Sequence, residues 1–307
     1  VSDSPGSAAR VSSEVSSPAE LAQTLSTVGY LADTGLATAG FLGVKLGKPV
    51  FLEGDAGVGK TAFAAALAEA YGLELIRLQC YEGLDATQAI YDWDFPRQVL
   101  HLRALEAAAA GPRAPVDAAA AEASLYDRRF LVARPLLQAI ERAPCVLLVD
   151  EIDRADDEFE AYLLEMLADS AVTIPELGRI GAVTPPTVVV TSNRTRDVHD
   201  ALKRRCLYHW VAHPEPDREA AILRLRLPEV TARMASQVAA AAAKLRELDL
   251  VKPPGVAESI DWAAALRALA VEELTAEAIT ATLGAVLKVR EDLDRIRDLP
   301  PAALLGA

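Results

Sequence analysis

Five short apolar runs, rich in β-branched residues, punctuate the chain: Pro49 to Glu53, Leu73 to Leu78, Cys145 to Val149, Thr187 to Thr191 and Leu207 to Val211. Each is nearly continuous and does not alternate, the pattern of strands buried on both faces of a parallel sheet. Between them, apolar residues recur at helical spacing in Thr61 to Tyr71, Pro135 to Arg142 and Phe159 to Ala168,. After His213 the pattern changes. From Pro216 onward there is no strand candidate, only alanine-, leucine- and charge-rich stretches such as Arg218 to Leu225, Val238 to Leu248 and Ala276 to Val289. Pro253-Pro254-Gly255 interrupts them. This predicts an α/β domain followed by a small all-helical one.

The expected division is a flexible tail over residues 1–20, an α/β unit over 21–214 and a helical unit over 215–307. Val1 to Glu20 is rich in serine and small polar residues and lacks the charged leader and apolar centre of a secretory signal,. Ala107 to Ala123 holds alanine runs around Gly111-Pro112 and Pro115, which predicts a helix end followed by a flexible surface loop,.

Composition narrows the classes. Just over half the residues are hydrophobic, but no run of twenty is free of charge or proline, so no spanning helix is expected,. Three scattered cysteines, Cys80, Cys145 and Cys206, lack metal or disulfide spacing, and His101, His199, His209 and His213 lack ligand partners,. Reduced thiols in a cytoplasmic protein are the expectation. Cys80, Trp93, Trp210 and Trp262 are assigned to packing. Acids outnumber bases 44 to 31, a formal charge of -13, which repels a nucleic-acid backbone,. The only dense basic cluster is Lys203, Arg204 and Arg205.

The chemistry is concentrated in one motif. Gly54-Asp55-Ala56-Gly57-Val58-Gly59-Lys60-Thr61 fits G-x-x-x-x-G-K-[ST] at every fixed position, after a strand and opening a helix,. Such a loop cradles phosphates with backbone N–H groups, Lys60 adds a charge to the β- and γ-phosphates of ATP, and the Thr61 hydroxyl is a Mg2+ ligand. Asp150-Glu151 ends the third apolar run. An acidic pair there is commonly a solvated strand end, but in a parallel sheet it faces the same crevice as the phosphate loop. Asp150 then holds Mg2+, largely through water, and Glu151 accepts a proton from the attacking water. The next strand delivers Ser192 and Asn193 to that edge. Asn193 is either a turn residue or an amide that orients the water and senses the γ-phosphate. Lys203 to Arg205 read as a solvated face or as the source of an arginine that reaches a neighbouring subunit's phosphate. The fold expected is a P-loop NTPase αβα sandwich with a helical lid.

With these residues assembled, the chain resembles the MoxR family of AAA+ ATPases, in particular the branch found beside maturation genes for molybdenum-containing carbon monoxide dehydrogenase. The resemblance runs from about Leu21 to about Leu266. It rests on Gly29-Tyr30-Leu31-Ala32-Asp33, Leu46-Gly47-Lys48-Pro49, Leu78-Gln79-Cys80-Tyr81-Glu82-Gly83-Leu84-Asp85, Tyr91-Asp92-Trp93, Asp150-Glu151-Ile152-Asp153-Arg154-Ala155 and Thr191-Ser192-Asn193-Arg194-Thr195-Arg196. Val172-Thr173-Ile174-Pro175-Glu176-Leu177-Gly178 looks like the hairpin before the sensor strand. The resemblance implies a homo-oligomeric ring, commonly a hexamer, that remodels a protein client during cofactor or metal insertion, often with a von Willebrand factor A domain partner. It gives Asn193 the first sensor role and Arg205 the finger. Where many relatives have an Asp before the finger arginine and an aromatic after it, this chain has Arg204 and Cys206, so Arg204 could share the role. The second sensor arginine is not found after Gly255, and Arg267 is the nearest candidate.

Two functions compete with a protein-remodelling ATPase: a nucleic-acid-dependent motor, and a switch that binds ATP and recruits partners but scarcely hydrolyses. A further expectation is that Ile174 and Leu177 form an apolar hairpin tip directed at a client or ring pore.

Overall fold

The computed structural model describes residues 15–109 and 118–297. In chain order the elements are α1 (Pro18–Thr27), α2 (Thr34–Leu46), β1 (Val50–Glu53), α3 (Lys60–Tyr71), β2 (Glu74–Gln79), α4 (Ala86–Ile90), β3 (Tyr91–Trp93), α5 (Phe95–Ala109), α6 (Ala118–Leu125), β4 (Leu131–Ala133), α7 (Pro135–Glu141), β5 (Cys145–Asp150), α8 (Asp157–Asp169), β6 (Ala171–Ile174), β7 (Gly178–Gly181), β8 (Thr187–Ser192), α9 (Asp200–Arg205) and β9 (Leu207–Trp210). Five helices follow: α10 (Pro216–Arg226), α11 (Ala232–Glu247), α12 (Val256–Ala268), α13 (Ala276–Val286) and α14 (Arg290–Arg297).

All five predicted strands form one parallel sheet of order β2-β5-β8-β1-β9. Their lack of alternation has a direct cause. Phe51, Leu147, Val149, Val188 and Val190 point into one core, and Val50, Leu52, Val146, Leu148 and Val189 into another. The first core is closed by α4, α7 and α8, the second by α1, α2 and α3. The crossovers put the glycine loop, the acidic pair and the end of β8 with Asn193 at one edge because parallel strands all end on the same side,.

The C-terminal helices have a buried cluster of their own, including Leu223, Met234, Val238, Leu245, Trp262 and Leu283. Trp262 is fully buried and its indole donates to the Thr282 hydroxyl at 2.7 Å. Among the described residues, no helix is long and apolar enough to cross a membrane.

Several expectations change. The predicted tail lies outside the described residues as far as position 14, but α1 starts at Pro18, where the Ser17 hydroxyl accepts from the Glu20 N–H at 3.2 Å and so caps the first turn,. Of the predicted alanine-rich loop, residues 110–117 lie outside the described residues, while Ala118–Leu125 is helix, as alanine propensity favours,. The antiparallel pair β3–β4 carries no long apolar run and was not foreseen. The hairpin β6–β7 is present, but Ile174 is fully buried in the core under the sheet and Leu177 packs half-buried against it. That corrects the exposed tip: the hairpin folds its apolar side inward, where burial is favourable. Ile174→Ala should accordingly lower stability by roughly 2–5 kcal/mol, the range for such core truncations, as read by urea unfolding. An unchanged midpoint would return Ile174 to a surface role.

Candidate functional site

The turn from β1 into α3 is a tight loop around Lys60. A Cβ at Gly54 would run into the Val211 carbonyl oxygen, so only glycine allows β9 to pass this close,. The Lys60 side chain is buried, and its ammonium donates to the carbonyls of Gly54 and Asp55, each at 2.7 Å. Burial lowers its pKa, opposed by the charges of Asp153, Asp55, Asp150 and Glu151.

The acidic pair meets this loop. The Thr61 hydroxyl donates to Asp150 Oδ1 at 3.0 Å, and Thr191 Oγ1 donates to the same oxygen at 2.6 Å. Arg77, on β2, reaches Asp150 Oδ2 at 2.6 Å. Asp150 is buried, whereas Glu151, at a left-handed φ of 57°, turns its carboxylate outward. There it is held from two sides. Asn193 Nδ2 donates to Oε1 at 3.1 Å and Gln79 Nε2 donates to Oε2 at 2.9 Å, while Arg154 lies 3.3 Å from Oε2. An amide donor on each oxygen fixes the plane of the carboxylate.

Asp153 anchors the turn after β8. It accepts from the Asn193 N–H at 3.1 Å, the Thr195 N–H at 2.9 Å and the Thr195 hydroxyl at 2.6 Å. Burial pushes its pKa up, but these hydrogen bonds outweigh it and hold the carboxyl below its ordinary value,.

Sequence reasoning assigned no role to Gln79, Arg77, Thr191 or Asp153. Gln79 stands at a strand end in the sequence, but only the register of β2 against β5, with Gln79 opposite Asp150, puts its amide beside the acidic pair. Arg205 is not brought into this cluster. It is exposed on α9 and donates to the Leu164 carbonyl of α8 at 2.6 Å, while Arg204 has no hydrogen-bond or ion-pair partner among the described residues.

Arg267 is also remote. It pairs with Glu229, and the helical unit instead meets the phosphate loop through the N-terminus of α12. The Val256 N–H donates to the Gly57 carbonyl at 2.9 Å, and Glu258 caps the Gly255 N–H at 3.0 Å. Arg267, the second-sensor candidate, is thus not the residue through which the helical unit meets the loop here. A Cβ on Gly255 would lie 2.7 Å from the Ala56 carbonyl oxygen. Gly255→Ala should therefore push α12 off the loop and weaken ATP binding roughly tenfold, within the 1–3 kcal/mol that overpacking costs. A titration with a fluorescent ATP analogue checks this, and unchanged affinity would make the contact incidental.

Beside the loop lies a cavity of about 340 Å³ lined by Tyr30, Leu36, Val58, Trp210, His213 and Ile222. Its mixed apolar and polar wall suits a heterocyclic base attached to a phosphate chain. His213 Nε2 lies 3.3 Å from Asp55 of the loop, and burial lowers the imidazole pKa, reinforced by Arg246 and opposed by Asp55 and Glu219. The three cysteines are free thiols, and burial pushes Cys80 up to about 12, which leaves it unreactive,.

A family model described as AAA domain (dynein-related subfamily) matches residues 49–206. Among solved structures the chain is similar to three of RuvB from Thermotoga maritima. One is an alanine-to-serine variant, 16% identical, covering 84% of this chain and 69% of that one, with a TM-score of 0.46. The RuvB Holliday junction branch migration motor is 15% identical, covering 88% and 71%, with a TM-score of 0.43. A proline-to-glycine variant is 14% identical, covering 92% and 74%, with a TM-score of 0.46. No curated protein sequence matches the chain.

Proposed function

The chain belongs to the AAA domain family, dynein-related subfamily, a class of ATPases, and from that premise we propose that it is a Mg2+-dependent ring ATPase that remodels a protein complex. The observation that carries this reading is the convergence of Lys60, Thr61, Asp150, Glu151, Gln79 and Asn193 at one edge of the sheet, with Glu151 oriented from both sides.

In this reading residues 21–214 bind the nucleotide and residues 215–307 form a lid over it. The backbone of Gly54 to Gly59 cradles the phosphates, and Lys60 exchanges the Gly54 and Asp55 carbonyls for phosphate oxygens. The Thr61 hydroxyl and the Asp150 carboxylate, 3.0 Å apart, are hard oxygen donors of the kind Mg2+ takes together with nucleotide phosphates,. They would hold the ion, which supplies charge neutralisation at the β- and γ-phosphates. Glu151 takes the proton of the attacking water while Asn193 and Gln79 keep its carboxylate in plane. Arg205 of one subunit leaves Leu164 and stabilises charge at the neighbour's γ-phosphate.

The finer assignment, a MoxR-type ATPase acting in cofactor or metal insertion with a von Willebrand factor A domain partner, is supported by the sequence segments that resemble that branch. Three free cysteines fit a reducing, cytoplasmic setting,. The formal charge of -13 favours a protein client over a nucleic acid,. The test is affinity capture with Glu151→Gln protein and ATP. Retention of a protein complex, released when ATP is withdrawn, supports the reading. ATPase stimulation by duplex DNA that fades steeply with salt would replace it with a nucleic-acid motor. Wild-type protein without measurable turnover beside its captured partner would make it a binding switch.

A further inference from the structure

Glu53 is the last residue of β1 and directly precedes the phosphate loop, yet no part of the catalytic scheme uses it. Its carboxylate is almost fully buried and holds two cations from different segments. Arg194 Nε lies 2.9 Å from Oε1, and Lys203 Nζ lies 3.1 Å from Oε2. Arg194 follows Asn193, adopts a left-handed φ of 58° and stacks over Trp210 at 5.7 Å. Lys203 sits two residues before Arg205 and lies over the Phe51 ring at 5.7 Å. One carboxylate thus joins the root of the phosphate loop, the sensor turn and the helix that carries the candidate finger.

A buried ion pair is a weak source of net stability, because desolvation offsets most of the attraction; its best-attested use is to select one geometry. α9 needs such selection. It is six residues long, too short to persist by itself, and its N-cap, His199, makes no side-chain capping bond,. It is anchored by buried Leu202, by the His199 N–H on buried Glu160 at 2.8 Å, by Lys203 on Glu53 and by Arg205 on the Leu164 carbonyl. An Arg205 that reaches a neighbour must release Leu164. Lys203 on Glu53 is then the side-chain polar anchor that remains on the helix itself, between the His199 N–H on Glu160 at its entry and the Leu207 N–H on the Pro49 carbonyl at its exit.

We propose that Glu53 is a positioning residue that, through Lys203, holds the finger helix in register with its own subunit's phosphate loop, so that Arg205 is presented to the neighbour in one geometry. The proposal rests on Arg205 acting in trans, and the experiment separates the two claims. Arg205→Ala subunits keep an intact phosphate loop and are mixed with donors that carry Lys60→Ala, whose own nucleotide site is dead. Any hydrolysis then depends on the donor's arginine.

Donors with Lys60→Ala alone should restore activity. Donors that also carry Lys203→Gln should restore roughly a hundredfold less, the scale of an ångström-sized misplacement. Lys203→Arg, which keeps the charge on Glu53, should bring it back, and Glu53→Gln in the donor should match Lys203→Gln. Lys203 is only half-buried on a surface helix, so Lys203→Gln carries the test even where Glu53→Gln fails to fold. Nucleotide affinity of Lys203→Gln in an otherwise intact chain should stay within about threefold of wild type, less than half a tenfold step in free energy. Equal rescue by Lys60→Ala donors with and without Lys203→Gln overturns the positioning role. Absence of rescue by plain Lys60→Ala donors in co-assembled rings overturns the finger reading, and this inference falls with it.

Discussion

Replacing Arg205 with alanine is expected to leave ATP binding unchanged and slow hydrolysis by about a thousandfold or more, the scale of arginine fingers. The expectation follows from what one chain lacks. Around Asp150 and Glu151 the cations are Lys60, committed to the phosphate loop, Arg77 on Asp150 and Arg154 beside Glu151. Each is already engaged by this chain's own carbonyls or carboxylates, which leaves a further cation to come from a neighbour. Arg205 is exposed and held by a single carbonyl, an anchor that a phosphate outcompetes because its bond to guanidinium is charge-assisted,. Steady-state phosphate release measures the loss, and mixing with Lys60→Ala subunits should recover activity. Arg204→Ala should be much milder. Arg204 is nevertheless the cation of the pair without a partner among the described residues, so a reversed ranking would assign the finger to Arg204.

Glu151→Gln should bind ATP as tightly as wild type and hydrolyse it at least about a hundredfold more slowly, the usual loss for a missing general base. The amide retains the shape that Asn193 and Gln79 grip but cannot accept the proton of water. Lys60→Ala should fail earlier, at binding, because the ammonium that the loop holds on the Gly54 and Asp55 carbonyls, the charge expected to meet the phosphates, is gone,. Isothermal titration with phosphate release separates the two. Undiminished turnover in Glu151→Gln would move the base elsewhere, and retained affinity in Lys60→Ala would mean that the loop's backbone alone carries the phosphates.

What could be read without a structure was local or contiguous. The five strands announced themselves because a strand covered on both faces must be apolar at successive positions, and each sheet strand falls within a residue of the run that predicted it,. The phosphate loop is legible because all its chemistry lies in eight consecutive residues, and the sheet's parallel direction then sends Asp150, Glu151 and Asn193 to the same edge,. The helical C-terminal region was legible from the absence of strand patterns after His213.

What only the tertiary structure decided are meetings of residues far apart in the chain, set by strand register and crossovers. Gln79 orients Glu151 because β2 lies beside β5 in one particular register, which periodicity does not encode. Ile174 is buried because the hairpin bends onto a core built from other segments. Gly255, and not Arg267, meets the phosphate loop because the entry of α12, rather than its interior, faces Gly57. Glu53 ends the first apolar run, and its burial between Arg194 and Lys203 exists only once β8 and α9 fold around β1. A carboxylate's chemistry is printed in the sequence, but its partners are chosen by three-dimensional packing.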